Sequence, residues 1–259
     1  MTQKEMILLE EAEYVSDTFA DCFIGDGYTA FYFDECKELH DGNHAIIYPE
    51  KIKDLGKVLD EVSEFYAKRQ NEAAIFHPFG DEYYHYFEEN RAIIENCGWE
   101  ISLFDDYKVM AISGENKIKR KNLLDIKLLD DWDERIANDI ILPSGEYWEL
   151  ESTKKFASDK KKNKNNMLFV GYIGEKAVIY SIIHKSYKYD CVRFDFILCS
   201  KEHRGKGYGS ELISYITDFC REQKFNNCFD WAGPSENICR KAGFCDIFTA
   251  RSGRINFKG

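Results

Sequence analysis

The sequence has no apolar stretch long enough to cross a membrane. Its best candidate, 177–183, has seven residues and includes a tyrosine and a serine, whereas a membrane-spanning helix needs about 20. The segment that begins at Met1 soon turns acidic and lacks the basic start and small-residue cleavage site of a secretory signal. We therefore expect a protein that stays in the cytoplasm and does not bind membranes.

Cysteine and histidine patterns that hold disulfides or metals are also missing. None of the nine cysteines forms a C-x-x-C pair, so His40 and His44, although four residues apart, lack the cysteine pair of a zinc-finger pattern. The pattern supports neither a disulfide framework nor a structural zinc site, so we expect no metal. Most of the cysteines are expected to be small apolar core residues in a reducing compartment.

Positive charge is scarce, and the shortage is uneven. The chain has 35 Lys and Arg against 46 Asp and Glu, a net charge of -11, which argues against nucleic-acid binding. Residues 1–116 hold 9 basic and 26 acidic residues, a net charge of -17, and the remainder holds 26 and 20, a net charge of +6. This split suggests two modules with different partners, or else a solvated acidic surface on the first half.

The second half of the chain alternates between strand and helix patterns, whereas the first half is less legible. Apolar residues at helical spacing predict a helix over 52–68, and 73–76 is a short strand candidate. In the second half we predict strands at 123–129, 167–173, 176–185, 191–199 and 225–232, helices at 132–142, from about 146, at 210–223 and at 235–242, and a closing hairpin over 244–257.

The strand at 191–199 is amphipathic. Strict alternation of side chains predicts an apolar face made of Val192, Phe194, Phe196 and Leu198. The opposite face carries the charged residues. It consists of Cys191, Arg193, Asp195, Ile197 and Cys199.

A glycine-rich segment, Arg204-Gly-Lys-Gly-Tyr-Gly-Ser210, joins this strand to the helix at 210–223. Glycines at alternate positions let the backbone take positive φ angles and let a bulky anion approach the main chain. N–H groups at a helix start then form a diphosphate site. A Walker A loop does not match the spacing, and a dinucleotide fingerprint would need glycine where Ser210 stands.

The segment fits R/Q-x-x-G-x-G, with Arg204, Gly207 and Gly209 in the fixed places. In this motif, in the stretch 196–213 and in the late segment 240–244, the sequence resembles the GNAT superfamily of acyl-coenzyme A-dependent N-acyltransferases. The resemblance covers about 119–259. It implies an α/β fold with a mixed, mostly antiparallel twisted sheet flanked by helices.

A second likeness links the two halves of the chain. Residues 96–104 resemble 241–248, since both pass from a helix end through glycine and an aromatic residue into a strand. We interpret this as a tandem arrangement. Residues 1–116 would be a degenerate, acidic GNAT-like domain without a coenzyme loop, and residues 119–259 would be the acetyl-coenzyme A-binding domain.

The resemblance also implies a set of residues for the cosubstrate, acetyl-coenzyme A. In the family, the backbone of the central strand binds the pantetheine arm, and the glycine loop binds the pyrophosphate. Matched position by position, the strand residues are Ile197, Leu198 and Cys199. The loop residues are Arg204, Gly205, Lys206, Gly207, Tyr208, Gly209 and Ser210.

An alkylammonium must lose a proton before it attacks a thioester. Asp195 is our first candidate for this base, since the position two residues earlier, which is glutamate in some relatives, is Arg193 here. Asp195 could instead serve as a structural ion-pair partner of Arg193. Asp230, on the neighbouring strand candidate, is the second candidate.

The departing thiolate needs a proton, which relatives often take from a tyrosine four residues before the late glycine. Cys239 stands at that place, as a candidate acid or as a core residue. A customary asparagine is replaced by Ala232. The sequence thus favours an N-acetyltransferase that acts on a primary amine of a small molecule or peptide, drawn to the acidic half if cationic. The alternative is a catalytically inactive acyl-coenzyme A-binding module.

Overall fold

Residues 1–77, 81–145, 147–158 and 165–258 are described by a computed structural model. The fold is mixed α/β and has two compact units. The larger unit comprises Met1–Glu10 and Lys108–Phe248, and the smaller comprises Glu11–Tyr107 and Thr249–Gly259. Each terminal segment thus groups with the other half of the chain. The division into domains 1–116 and 119–259 stays a prediction.

The strands follow one another along the whole chain. They are β1 (Asp21–Ile24), β2 (Tyr28–Tyr32), β3 (Ala45–Ile47), β4 (Ala74–His77), β5 (Trp99–Ile112), β6 (Asp125–Leu129), β7 (Asn166–Ile173), β8 (Lys176–Ser186), β9 (Cys191–Cys199), β10 (Cys228–Trp231) and β11 (Phe244–Phe257).

The α-helices lie between these strands, apart from the first, which precedes them. They are α1 (Gln3–Thr18), α2 (Leu55–Lys68), α3 (Asp81–Glu89), α4 (Arg91–Asn96), α5 (Leu142–Ser144), α6 (Trp148–Ser158), α7 (Tyr208–Glu222) and α8 (Glu236–Ala242). The segment before α5, Ile136–Ile141, is a π-helix. Within the described ranges, no helix is long and apolar enough to span a membrane.

The sheet of the larger unit has the order β5-β10-β9-β8-β7-β6. Its neighbours are antiparallel except β9 and β10, which are parallel. Apolar residues of α7 and α8 cover one face, where Leu212, Ile216 and Cys239 are buried. On the other face, Ile7 of α1 packs with Val109 and other residues of the unit. The predicted mixed, mostly antiparallel sheet flanked by helices is confirmed.

The sheet of the smaller unit has the order β1-β2-β3-β4-β11-β5. The apolar face of α2 supplies its core, as the helical spacing over 52–68 predicts, and Tyr66 is fully buried there. The Tyr66 hydroxyl donates a hydrogen bond to the backbone oxygen of Phe31 at 2.8 Å. This bond satisfies the one polar atom that the side chain carries into the core.

The predicted closing hairpin over 244–257 is wrong, because this stretch is one long strand, β11. A turn there would be expected at Gly253. Gly253 instead pairs with His77 of β4 and is not among the glycines with positive φ. Although glycine by itself weakens a strand, Gly253 and the residues after it stay extended because β4 pairs with them.

Candidate functional site

The glycine loop lies between the end of β9 and the start of α7, as the sequence predicts. Gly205 and Gly207 have φ angles of +77° and +91°, which favour glycine over residues with a side chain. A Cβ atom at either position would have no other atom within 4 Å. The loop is therefore an open cradle whose backbone a ligand can approach closely.

The start of α7 presents backbone N–H groups to this cradle. Gly207 caps the helix without any side-chain hydrogen bond, and the N–H of Glu211 bonds the Gly207 oxygen at 3.1 Å. The N–H groups of Tyr208, Gly209 and Ser210 come earlier in the helix and have no acceptor within it. Together with the positive end of the helix dipole they favour an anion such as a diphosphate.

Side chains fix the approach to the loop from β9. Nε of Arg204 donates a hydrogen bond to the backbone oxygen of Cys199 at 3.0 Å. Arg204 thereby links the loop to the end of β9, and its guanidinium stays close to the loop. Lys176 of β8 forms an ion pair with Glu202. No sequence pattern predicts this second contact, because the partners are far apart along the chain.

A β-bulge in β9 changes which residues share a face. Ile182 of β8 pairs with Phe196 and Ile183 pairs with Phe194, so that Asp195 is left without a partner on β8. The predicted alternation is therefore wrong beyond Asp195. Val192 and Phe194 contribute to the core under α7 and α8, and after the bulge Ile197 and Cys199 pack against that same core. One extra residue shifts the alternation of side chains by one.

The parallel pairing of β9 with β10 is short. It covers Val192 with Cys228 and Arg193 with Phe229, and it is not continued beyond these pairs within the described residues. From there β10 continues through Asp230 and Trp231, paired with β5. The two strands therefore separate next to the bulge. The stretch of β9 that faces this gap leads to Ile197, Leu198 and Cys199, and directly after them to the glycine loop.

Charged residues cluster where the gap begins. Nε of Arg193 donates a hydrogen bond to Oδ1 of Asp195 at 3.0 Å, and their side chains are 14% and 24% exposed. Burial raises the pKa of Asp230 to about 6, although Arg193 opposes the shift. The structure thus brings the two carboxylates that the sequence singled out to the same gap, with one guanidinium close to both.

The thiol of Cys239 belongs to this cluster. Cys239 is fully buried on α8, and its Sγ donates a hydrogen bond to Oδ2 of Asp230 at 3.3 Å. Burial and the neighbouring carboxylate raise the pKa of the thiol. Both residues are candidates from the sequence, but their contact is not predicted there, since they lie nine positions apart across a strand, a turn and a helix. At the place of the customary asparagine, the backbone N–H of Ala232 donates to the oxygen of Lys108 at 2.8 Å.

The groups that the described residues bring to the gap are carboxylates, a guanidinium, a thiol and backbone N–H groups. Among the residues that the structure describes, no group of three or more His, Cys, Asp and Glu side chains is arranged to hold a metal ion.

Part of the second half of the chain is similar to a known family. Residues 131–244 match the model of the acetyltransferase (GNAT) family. A comparison with the sequences of curated proteins gives no match. The matched region contains β7 to β10, the glycine loop, Asp230 and Cys239.

Solved structures resemble the chain over its full length. A GCN5-related N-acetyltransferase from Kribbella flavida is 11% identical with a TM-score of 0.63, and the match covers 100% of this chain and 96% of that one. A GCN5-related N-acetyltransferase-like protein from Streptococcus suis is 12% identical with a TM-score of 0.56, over 98% of both chains. At such identities, the likeness shows a shared fold.

Proposed function

We propose that this chain, whose residues 131–244 match the model of the acetyltransferase (GNAT) family, transfers an acetyl group from acetyl-coenzyme A to a primary amine of a small molecule or peptide. One observation carries the proposal. The open glycine cradle at the start of α7 directly follows the part of β9 that separates from β10. The cradle, as a candidate anion site, and a strand edge that β10 does not pair are thus adjacent in sequence and in space.

This arrangement suits the two ends of coenzyme A. The pyrophosphate would lie against the N–H groups of Tyr208, Gly209 and Ser210, with Arg204, Gly205, Lys206 and Gly207 around it. The pantetheine arm, which carries amide groups, would pair with the backbone of Ile197, Leu198 and Cys199 as a neighbouring strand does. The thioester would then reach the gap between β9 and β10.

The chemistry proposed for the gap is direct transfer. A neutral amine attacks the thioester carbon, and backbone N–H groups at the gap stabilise the oxyanion. Asp195 takes the proton from the amine, and Arg193 orients its carboxylate through the 3.0 Å hydrogen bond. The sulfur departs on the side of α8, where Cys239 and Asp230 lie.

The acidic first half of the chain suggests which kind of amine the enzyme accepts. We propose a cytoplasmic enzyme with a tandem arrangement in which 1–116 is a degenerate, acidic GNAT-like domain and 119–259 carries the coenzyme site. The net charge of -17 over 1–116 would raise the local concentration of a cationic amine. Neither nucleic acid nor a membrane is a partner in this proposal.

The test is acetyl transfer to a broad panel of amines, including polyamines, amino sugars and lysine-containing peptides. Acetyl-coenzyme A is the donor, and each reaction is analysed by mass spectrometry for an acetylated product. The proposal expects at least one amine to gain an acetyl group only when the native protein is present. Tight binding of coenzyme A without any product would instead identify the chain as a binding module.

A further inference from the structure

The hydrogen bond between Cys239 and Asp230 bears on how the leaving group obtains its proton. Cys239 is fully buried, whereas Asp230 on β10 is largely buried but keeps some exposed surface. Of the two side chains, the carboxyl is therefore the one that can reach a sulfur atom in the gap. The thiol lies behind it and is held in its protonated form by burial and by the carboxylate.

The surroundings of Asp230 favour a carboxyl group that can carry a proton. From β9 it faces Arg193 and Asp195, of which the guanidinium favours the ionised carboxylate and the second carboxylate disfavours it. From α8 it faces Cys239, and from β5 the apolar Met110 is its strand partner. Burial outweighs the favourable contacts, so that Asp230 gains and loses its proton near neutral pH.

We infer that Asp230 is the catalytic acid that protonates the departing thiolate, and that Cys239 is the positioning residue that orients it. This inference rests on the proposed acetyl transfer. The S–H group occupies Oδ2, which leaves Oδ1 as the oxygen that carries the proton. From the sequence, Cys239 is either a candidate acid or a core residue, and its raised pKa makes it the poorer donor to a thiolate.

Each proton that moves in this step has a donor and an acceptor. As the amine nitrogen bonds to the carbonyl carbon, the carbon–sulfur bond breaks and its electron pair moves to the sulfur. The proton on Oδ1 of Asp230 passes to that sulfur and gives the coenzyme A thiol. The proton lost by the amine passes to Asp195 and then to solvent. Solvent reprotonates Asp230, whose carboxylate Cys239 stabilises in the meantime.

A proton donor at Asp230 determines how kcat depends on pH. The donor form of Asp230 is the protonated one, which prevails below a pKa of about 6 and is lost as the pH rises. With a nucleophile that is neutral throughout, kcat should fall as the pH rises from 6.5 to 8.5, by about tenfold per unit. A base at the same position would give the opposite slope. Hydroxylamine is mostly neutral over this range, and at saturation its own ionisation does not set the slope. It also requires no knowledge of the natural acceptor.

The experiment compares native protein, Asp230→Asn, Cys239→Ala and Cys239→Ser with saturating hydroxylamine and acetyl-coenzyme A. We expect Asp230→Asn to lower kcat at pH 6.5 by about 100-fold and to abolish the slope. Cys239→Ala should cost less than about tenfold and move the falling limb to higher pH, since the lost S–H bond had favoured the carboxylate. Cys239→Ser, which keeps a donor, should restore the native profile. Asp218→Asn on α7 is the matched control.

A second measurement needs no acceptor at all. Infrared spectra of the coenzyme A complex between pH 5 and 8 should contain the carbonyl band of a protonated carboxyl group that titrates in this range and is missing in Asp230→Asn. An Asp230 that stays ionised throughout, or a native rate that rises with pH and loses this rise in Asp230→Asn, overturns the inference. Failure of coenzyme A to bind overturns the proposed function as well, and calorimetry on the same samples separates the two results.

Discussion

Arg193 donates a hydrogen bond from Nε to Oδ1 of Asp195, its neighbour on the far side of Phe194, at 3.0 Å. Arg193 is the last residue of β9 that pairs with β10, and Asp195 is the bulged residue. The ion pair therefore marks the point where the two strands separate. A guanidinium at this point keeps the carboxylate in one orientation, which suits a base that must meet an incoming amine.

We predict that Asp195→Asn lowers kcat for an amine acceptor by about 100-fold, since the variant keeps the shape of the side chain but cannot take a proton. The dissociation constant for acetyl-coenzyme A should not change. Steady-state kinetics and calorimetry check the two statements. The control is Asp218→Asn, a half-buried carboxyl group of α7 that pairs with Arg221. A native kcat in Asp195→Asn would show that Asp195 serves only as a structural ion-pair partner of Arg193.

The end of α8 yields a prediction about stability. Gly243 has a φ of +103°, and a Cβ there would lie 2.5 Å from the backbone oxygen of Gly114. A methyl group cannot fit so close to an oxygen atom, so the backbone at Gly114 must move away. This movement strains the hydrogen bond that the N–H of Gly114 donates to the Gly243 oxygen at 2.9 Å. Gly243→Ala should therefore lower the free energy of unfolding by about 3 kcal/mol.

Gly174, in the turn between β7 and β8, is the matched control for this variant. Its φ is +59°, and a Cβ there would meet nothing within 4 Å. Gly174→Ala should cost only about 1 kcal/mol, the usual penalty for a side chain at positive φ. Equal losses for the two variants in urea denaturation would show that the close approach to Gly114 carries no energy.

His44 makes the smaller unit sensitive to acid. Burial lowers its pKa to about 3, with Arg254 adding to the shift. Between the ordinary pKa of 6.5 and this value, the unfolded chain takes up a proton that the folded chain does not. Stability from this residue is therefore complete above about pH 7 and is lost as the pH falls, by about 2 kcal/mol between pH 7 and 5.

We predict that His44→Gln, which cannot take up that proton, reduces this pH dependence. The free energy of unfolding of the variant should fall less between pH 7 and 5 than that of the native protein, even if the variant is less stable at pH 7. Urea denaturation at both values measures the difference. Parallel losses in the two proteins would assign the acid sensitivity to other groups.

The sequence predicts the local elements of the larger unit well. The strand 191–199, the glycine loop and the helix after it are confirmed, because each rests on a local signal: alternation, positive-φ glycines and helical spacing. The same signals place the helix over 52–68, which begins at Leu55 in the structure.

Features that depend on distant residues could not be predicted in this way. At the bulge, β8 has no residue that pairs with Asp195, and no residue type in β9 predicts this shift in register. The contact of Cys239 with Asp230 depends on how α8 packs against β10. The grouping of Met1–Glu10 with the second half depends on contacts of α1 that residue counts and charge do not contain.

The most direct test of the central claim is titration calorimetry with acetyl-coenzyme A on native protein, Gly207→Trp and Gly174→Trp. Both glycines have positive φ and open surroundings, so the two variants share the backbone strain, but only Gly207 lies in the cradle at the start of α7. The account predicts that native protein and Gly174→Trp bind equally and that Gly207→Trp does not bind. Unchanged binding by Gly207→Trp, or no binding by folded native protein, would contradict it.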